Sequence, residues 1–276
     1  MSILDDIVIH KQGEIKERQA MFPVKLLEQS IFFNTPCVSL KQYIKREDKL
    51  GIIAEIKRKS PSKGAINPYV SIERTSIGYM QAGASALSVL TDQHFFGGKN
   101  EDLTTARKFN YCPILRKDFM LNEYQIIEAR SIGADAILLI AAVLQPDALK
   151  SLAQFAQSLG LEVLLEVHNK AELETHFNAF VDVVGVNNRN LKTFEVNVQT
   201  SLDLLGSIPS EVVRISESGI SDPATVVKLR EAGFDGFLIG ERFMKHSRPE
   251  QACARFIEEV SALETQQEIQ SKTVFD

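Results

Sequence analysis

The segment from Ala54 to Gly64, AEIKRKSPSKG, places one carboxylate and four cations within eleven residues, directly after Ile52 and Ile53. An apolar run that ends in charge is typical of a strand that reaches a polar surface. Alternate side chains of a strand point to opposite faces, so Glu55 and Lys57 share one face. A carboxylate and an ammonium held side by side can exchange protons with a bound substrate. The outward Arg58 and Lys59 are expected to be solvated charges.

Three later apolar runs also end in polar residues. In PILRKDF, EVLLEVH and VVGVNNRNL, the phase of the strand puts Lys117 with Leu115, Glu166 with Leu164, and both Asn187 and Arg189 with Gly185. A single polar residue at such a position is ordinarily a solvated strand terminus. If the strands converge, Glu55, Lys57, Lys117, Glu166, Asn187 and Arg189 form a site of two acids, three cations and an amide. That mixture suits an anionic substrate that undergoes proton transfers.

Convergence requires parallel strands, and the glycines of the sequence predict them. The phrases AGASALSVL, IGADAILLI, LGLEVLLEV and AGFDGFLIG each place a glycine between a helix-like segment and an apolar run. Glycine suits the left-handed residue that ends a helix, and the apolar runs are typical of strands buried on both faces. The phrases recur at approximate multiples of about 25 residues, the size of a strand-and-helix unit.

Completing this repeat gives eight predicted strands, near residues 52–57, 85–90, 113–117, 135–140, 162–167, 182–187, 212–217 and 235–239. Amphipathic helical stretches lie between them, and QPDALKSLAQFAQSLG has the clearest apolar stripe. Ser221 is predicted to cap the helix within SDPATVVKLREAG. The alternation predicts an α/β fold, a single closed (β/α)8 TIM barrel. An open doubly wound sheet is the alternative, but no GxGxxG follows the first strand.

Two segments do not fit the repeat. Residues 1–48 are predicted to form an N-terminal helical extension, with one helix in ILDDIVIHKQGEIKERQ and a short second one at Val38–Ile44. The barrel is assigned to residues 49–262, and the polar tail at 263–276 is expected to fray. We therefore interpret residues 1–276 as a single domain with an extension and a tail.

Composition limits the classes of function. Hydrophobic residues make up 44% of the chain and charged residues 24%, and no apolar run approaches the roughly 18 residues that span a bilayer. A net charge of −5 disfavours nucleic acid as the main partner. The charged N-terminus does not resemble a secretory signal, so a cytoplasmic location is expected. The three cysteines form no CxxC and the five histidines no HExxH, so neither a disulfide nor a metal is predicted.

The loops that follow the predicted strands suggest how an anion is held. SESGISD and LIGERFM follow the last two strands, where barrel enzymes commonly bind phosphate through backbone N–H groups, here those of Gly219, Gly240 and Glu241. SPSKG, with Ser60, is a candidate mobile lid. Phe95 and Phe96 follow the second strand, either as packing for an aryl substrate or as a loop anchor, and both interpretations stay open.

The strand-end motifs as a set resemble those of the indole-3-glycerol phosphate synthase family of tryptophan biosynthesis. The motifs are AEIKRKSPSKG, LTDQHFFGG, LRKDFM, EARSIGADAILLIAAVL, LLEVHNKAELE, VGVNNRNLKTFEVN, SESGISDPATVVKLREAG and FLIGERFM. Other phosphate-binding barrels share the last two but not the first, third or sixth. The family also carries extra helices before the barrel. The departures are Lys59, where many relatives have a small residue, and Ile56, where an aromatic residue or Val is common; neither is inward.

This resemblance implies a reaction. The substrate would be 1-(2-carboxyphenylamino)-1-deoxyribulose 5-phosphate, converted to indole-3-glycerol phosphate with loss of CO2 and water, without a cofactor. Lys117 would be the general acid of ring closure. Lys57, kept charged by Glu55, would hold the substrate carboxylate, although two interacting lysines can exchange roles. Glu166 would stabilise the anilino nitrogen and act as a base. The remaining implied contacts are Asn187 and Arg189 to substrate hydroxyls, and Ser60, Ser218, Gly219, Gly240 and Glu241 to substrate and phosphate.

Alternative functions remain open from the residues alone. One is a Schiff-base aldolase on the same barrel, with Lys57 or Lys117 as the nucleophile. Phosphoribosylanthranilate isomerase shares the phosphate motifs, but the likeness does not extend to AEIKRKSPSKG or VNNRN. A catalytically silent binder of phosphate ligands is the third, and it has little use for two inward acids. The expected partner is a small anionic aryl sugar phosphate, with no nucleic acid or membrane, on a monomer or weak homodimer.

Overall fold

The computed structural model describes residues 3–191 and 193–273, and its centre is a closed barrel of eight strands. The strands are β1 (Ile52–Ile56), β2 (Ala86–Leu90), β3 (Ile114–Lys117), β4 (Ala136–Ile140), β5 (Glu162–Val167), β6 (Val183–Asn187), β7 (Val213–Glu217) and β8 (Gly236–Ile239). All neighbouring strands are parallel, and β8 pairs with β1 to close the sheet. The predicted barrel is confirmed, and the open doubly wound sheet is excluded.

Three helices precede β1, and the later helices alternate with the strands and cover the outside of the barrel. They are α1 (Ile3–Met21), α2 (Val24–Leu27), α3 (Leu40–Ile44), α4 (Ile72–Gln81), α5 (Asn100–Phe109), α6 (Glu123–Ile132), α7 (Pro146–Ser158), α8 (Lys170–His176), α9 (Gln199–Leu205), α10 (Pro223–Ala232), α11 (Glu241–Met244) and α12 (Pro249–Thr273). The stripe predicted for α7 is buried at Leu149, Leu152 and Ala156. No helix of the described residues is long and apolar enough to cross a membrane.

The period of two along each strand separates an inner core from an outer one. Ile53, Leu115 and Leu164 pack together inside the barrel, whereas Ala54 and Ile56 belong to the larger core between strands and helices. Burial of a side chain of this size stabilises the fold by about 1.5–3 kcal/mol, so the register of each strand is strongly determined. Polar residues in phase with the inner core must therefore emerge inside the barrel mouth.

The N-terminal extension reaches both ends of the barrel. Leu40 and Ile44 of α3 pack with the inner core, so α3 closes the barrel at the N-terminal ends of the strands. Ser39 caps α3, and its hydroxyl donates to Glu162 at the start of β5. The helix α1 runs to the opposite end, where Ile7 lines the central cavity. The extension was predicted as two helices, and the short α2 between them was missed.

Three local expectations were wrong. Asp222, not Ser221, caps α10, because its carboxylate accepts the hydrogen bond from the Ala224 amide. Arg58 is not solvated: its guanidinium donates to Gly97 O and to the buried carboxylate of Asp102, because a residue in phase with Ile56 faces the covering helices.

The third wrong expectation concerns the tail. It does not fray at residue 263, since α12 continues to Thr273, and residues 274–276 lie outside the described residues. Leu263 packs against the core, and Glu264 pairs with Arg230 of α10 at 3.3 Å. An established helix extends at little cost once such contacts fix its first turns.

Candidate active site

A cavity of about 580 Å³ opens at the C-terminal ends of the strands. All eleven predicted site residues line it, namely Glu55, Lys57, Ser60, Lys117, Glu166, Asn187, Arg189, Ser218, Gly219, Gly240 and Glu241. The cavity is also lined by residues that the sequence did not single out, among them Ile3, Leu4 and Ile7 of α1, Leu138, Phe119, Glu217, Arg242 and Lys245. The strands thus bring the predicted residues to one place, and their roles stay predictions.

Lys117, the last residue of β3, is the central cation of the cavity. Its Nζ lies 2.8 Å from Oε2 of Glu166 and 3.2 Å from Oε2 of Glu217. Burial alone would lower the pKa of this ammonium, but the two carboxylates outweigh burial and raise it above the ordinary lysine value. Lys117 is therefore charged, and its ammonium bridges the two carboxylates.

Glu166 on β5 is the most completely bonded acid of the site. Besides Lys117, it accepts a hydrogen bond of 3.1 Å from Nδ2 of Asn187, and His168 Nε2 lies 3.6 Å away. Burial would raise its pKa, but Lys117 and His168 oppose this and hold the pKa well below the usual range. Glu166 is therefore ionised at neutral pH.

Glu217, the last residue of β7, is the functional candidate that the sequence reading missed. It follows Val213 and Ile215 at intervals of two, so the rule that selected Lys117 would also have selected it. Burial raises its pKa to about 7; the Lys117 ammonium opposes the shift, and the Glu166 carboxylate adds to it. Its Oε1 has no hydrogen-bond partner, although it is buried. The other oxygen, Oε2, is the one that faces Lys117.

Gly185 and Gly240 make room for the two acids beside them. A Cβ at Gly185 would lie 2.2 Å from Oε1 of Glu217, and one at Gly240 would lie 2.4 Å from Oε1 of Glu55. Glu55 in turn accepts a hydrogen bond of 2.6 Å from Lys57 Nζ. The inward pair predicted from AEIKRKSPSKG is thus an ion pair with little water around the carboxylate, since Glu55 is 4% exposed.

The rim of the cavity carries most of the remaining charge. The SPSKG segment is a small hairpin, in which Lys59–Ser60 pairs antiparallel with Gly64–Ala65. Lys63 from its turn lies 3.7 Å from the Glu241 carboxylate, and Arg189 lies 3.8 Å from the same side chain. Arg189 is therefore nearer the opening than Lys117 or Glu166. Exposed pairs of this kind are weak, so the rim can rearrange at little cost.

The loops after β7 and β8 form a corner with backbone groups at the surface of the cavity. Ser218 and Gly219 both have left-handed backbone angles, with φ of 68° and 75°. A Cβ at Gly219 would lie 2.3 Å from Val196 Cγ1, so only glycine fits there. Gly240 precedes the single turn of α11, and Arg242 and Lys245 of that region face the same cavity. This corner of the cavity therefore carries both backbone groups and positively charged side chains.

The two phenylalanines after β2 have different positions. Phe96 lines the cavity, and its ring centroid lies 6.0 Å from that of Phe119. Phe95 instead packs edge-on against His94 and His10 of α1. Phe96 thus fits the aryl-packing interpretation and Phe95 the loop-anchor interpretation.

Among residues 3–191 and 193–273, no cluster of His, Cys, Asp or Glu is arranged to hold a metal ion.

A closed (β/α)8 barrel that carries lysines and carboxylates at the C-terminal mouth of its strands defines a barrel enzyme of proton-transfer chemistry. The family within that class follows from comparison with known proteins. The family model described as indole-3-glycerol phosphate synthase matches residues 4–256. The chain belongs to the indole-3-glycerol phosphate synthase family.

Individual proteins agree with this assignment. The chain is 46% identical over 258 residues to the indole-3-glycerol phosphate synthase of Bacteroides thetaiotaomicron, across 94% of this chain and 98% of that one. It is 41% identical to the enzyme of the same name from Kineococcus radiotolerans, across 93% and 95%. A mutant tryptophan synthase alpha-subunit from Pyrococcus furiosus matches in structure with a TM-score of 0.59 at 16% identity, across 78% of this chain and 99% of that one. That likeness shows the barrel fold alone.

Proposed function

We propose that the protein converts 1-(2-carboxyphenylamino)-1-deoxyribulose 5-phosphate to indole-3-glycerol phosphate, with release of CO2 and water, as a carboxy-lyase of tryptophan biosynthesis. The observation that carries the proposal is the Lys117 ammonium held between Glu166 and Glu217 in a chain of this family. Such a group can protonate a ketone oxygen while carboxylates remain nearby to accept protons. We also propose that it acts in the cytoplasm.

Ring closure is the step that needs the cation. The aryl carbon that bears the carboxylate attacks the ketone, and the carbonyl electron pair moves to oxygen, which takes the Lys117 proton. Loss of CO2 returns the electron pair of the broken bond to the ring system, so the positively charged intermediate is its own electron sink. The proposed chemistry therefore requires no cofactor.

Dehydration completes the aromatic product. The hydroxyl leaves as water with one proton, supplied in this proposal by Lys57, whose ammonium is held by Glu55 at 2.6 Å. Glu166 takes up the proton released as the second ring becomes aromatic, because its lowered pKa keeps it a carboxylate. Asn187 donates to the other Glu166 oxygen and so fixes the direction of that base.

The remaining predicted residues are proposed to hold the substrate. Backbone N–H groups of Gly219 and Gly240, with the Glu241 amide and the Ser218 loop, surround the phosphate, and cations nearby favour the dianion. Ser60 and Arg189 contact the sugar hydroxyls from the rim. Phe96 and Phe119 lie against the aryl ring.

For Lys117 as the nucleophile, the Schiff-base aldolase interpretation is disfavoured by the charge on this residue. An amine must be neutral to attack a carbonyl, but the two carboxylates beside Lys117 raise its pKa and keep it charged. A silent phosphate binder is also disfavoured, because a protein that only binds phosphate has little use for three buried carboxylates beside its two lysines.

The decisive experiment is a continuous fluorescence assay for the indole product, with the purified protein and the carboxyphenylamino-deoxyribulose phosphate as the only additions. Product formation that depends on enzyme concentration supports the proposal. Tight binding of this substrate without any turnover would contradict it and would favour the silent binder.

We expect the acid limb of the kcat/KM pH profile to report Glu217. A carboxyl group with a pKa of about 7 is charged above that pH and neutral below it, so Glu217 loses its charge and its attraction for Lys117 as the pH falls. Activity should therefore decline below about pH 7, and Glu217→Gln should remove this limb and lower kcat by about a hundredfold. Measurement of kcat/KM between pH 5 and 9 checks this.

The titration of neighbouring groups must be distinguished from that of Glu217 in the pH profile. Lys117, Glu166 and Glu55 also face Glu217, and Glu166 and Lys117 keep their charges across this range. His168 is the competitor, because its hydrogen bond to Glu172 and the nearby carboxylates raise its pKa in spite of burial. His168→Gln should keep the acid limb. Loss of the limb in His168→Gln, with its retention in Glu217→Gln, would assign it to the imidazole instead.

A further inference from the structure

Lys11, in the middle of α1, is a lysine of the extension that is almost completely buried, at 1% exposure. Its Nζ lies 2.8 Å from Oδ2 of Asp92, 3.0 Å from Oδ1 of Asp118 and 2.9 Å from Oε2 of Glu14. Lysine is seldom buried without a partner, and both aspartates are themselves buried. The ammonium therefore joins three elements: α1, the loop after β2 and the loop after β3.

Each aspartate holds the backbone amide of a phenylalanine that lines the cavity, Phe96 for Asp92 and Phe119 for Asp118. Oδ1 of Asp92 accepts from the Phe95 amide at 2.7 Å and from the Phe96 amide at 3.2 Å. Oδ1 of Asp118 accepts from the Phe119 amide at 2.8 Å. The positions of Phe96 and Phe119 are thus set by two carboxylates that repel each other. Arg116 lies 3.4 Å from Asp118, but Lys11 is the cation that reaches both aspartates.

We propose that Lys11 is a positioning residue for the aryl-binding part of the cavity, because its ammonium ties together the two carboxylates that hold Phe96 and Phe119. The two rings, whose centroids are 6.0 Å apart, form one wall of the cavity, and Ile7, one turn before Lys11 on α1, contributes to it as well. The inference rests on the proposed function, which supplies an aryl ring for this wall. The extension is in this way a part of the binding site, although Lys11 touches no substrate.

Simple anchoring of α1 is the competing explanation, and Arg18 allows the two to be separated. Arg18 lies seven residues further along α1, and its guanidinium pairs with the buried carboxylate of Glu128 on α6. Glu128 holds neither phenylalanine directly, and its pair with Arg116 at 2.6 Å, which leads on to Asp118 at 3.4 Å, does not involve Arg18. Arg18→Met therefore loosens α1 without releasing the loops that carry Phe96 and Phe119.

The test compares two probes on wild type, Lys11→Met and Arg18→Met by titration calorimetry. One probe is the substrate analogue whose ketone is reduced to an alcohol, which keeps the aryl and phosphate groups but cannot close the ring. The other is glycerol 3-phosphate, which occupies only the phosphate corner. In Lys11→Met we expect the Kd of the aryl analogue to rise about tenfold and that of glycerol 3-phosphate to change less than about twofold. Arg18→Met should bind both as wild type does.

Several results would overturn the proposal. These are an unchanged Kd for the aryl analogue in folded Lys11→Met, an equal loss of both probes, or the same selective loss in Arg18→Met. If circular dichroism shows that Lys11→Met is unfolded, Asp92→Asn replaces it, because the amide oxygen can still cap Phe95 and Phe96 while the carboxylate facing Lys11 is lost. It should weaken the aryl analogue selectively, and equal loss of both probes counts against the proposal.

Turnover and probe binding are separate measurements. A wild type that binds the aryl analogue but forms no indole product contradicts the proposed reaction, without altering what the variants show about Lys11.

Discussion

Replacement of Lys117 with Met is expected to lower kcat by about three orders of magnitude, while KM changes by less than about tenfold. Methionine retains the length of the side chain and removes its proton. The ketone oxygen would then carry its developing negative charge between two carboxylates, with no donor to neutralise it. The loss should appear in kcat, since the interaction is made with the transition state rather than with the bound substrate.

The surroundings of Lys117 sharpen this expectation. Glu166 and Glu217 both depend on its ammonium, at 2.8 and 3.2 Å, so its removal leaves two buried acids facing each other. One of them should then take up a proton, because burial and mutual repulsion disfavour two charged carboxylates side by side. Lys117→Arg should not restore activity, since the larger, planar guanidinium keeps the charge but does not place a donor where the compact ammonium of Lys117 lies.

Lys41→Met is the matched control for this variant. Lys41 also pairs with a buried carboxylate, that of Asp182 at 2.7 Å, but it lies at the opposite end of the barrel. Steady-state rates from the fluorescence assay, with thermal unfolding to show that the variants are folded, complete the measurement. A folded Lys117→Met with kcat within tenfold of wild type would rule out Lys117 as the general acid.

The fold could be predicted because its signals are local and repeated. Glycines such as Gly133 and Gly233 end helices with left-handed backbone angles, and buried parallel strands follow them. The same period of two that separates Ile53 from Ala54 brought Glu55 and Lys57 into the barrel. The alternation of strands with helices determines the architecture. The alternation of residues along each strand determines the face of the sheet on which a side chain lies.

What escaped prediction depends on contacts between distant segments. Nothing near Lys11 in the sequence indicates that its ammonium meets Asp92 and Asp118, because the path of α1 is set by tertiary packing. Arg58 was expected to be solvated for the same reason: its partner Asp102 belongs to another element. Glu217 is a different case. Its inward phase could be read from RISES, but the residue also belongs to SESGISD, which was interpreted only as a phosphate-binding loop.

Glu166→Gln is expected to lower kcat by about a hundredfold or more, because the amide cannot accept the proton that leaves during aromatisation. The substitution retains the shape of the side chain, and glutamine can still accept from Asn187 through its oxygen. It removes the charge that lies 2.8 Å from Lys117, so the pKa of that ammonium should fall toward its ordinary value. Lys117 should therefore donate its proton more readily in this variant. The loss of kcat that remains is then due to the missing base.

Glu162→Gln is the matched control for this variant, because it makes the same carboxylate-to-amide change at the other end of β5. Glu162 begins β5, four residues before Glu166, and accepts from the Ser39 hydroxyl and from the Lys41 amide. It should lower the urea midpoint of unfolding slightly and leave kcat unchanged. The two variants separate loss of the carboxylate at the reacting centre from loss of a carboxylate in the barrel wall. Equal kcat values for Glu166→Gln and Glu162→Gln would assign the proton acceptor to another group, with Glu217 as the next candidate because its buried oxygen is unpartnered.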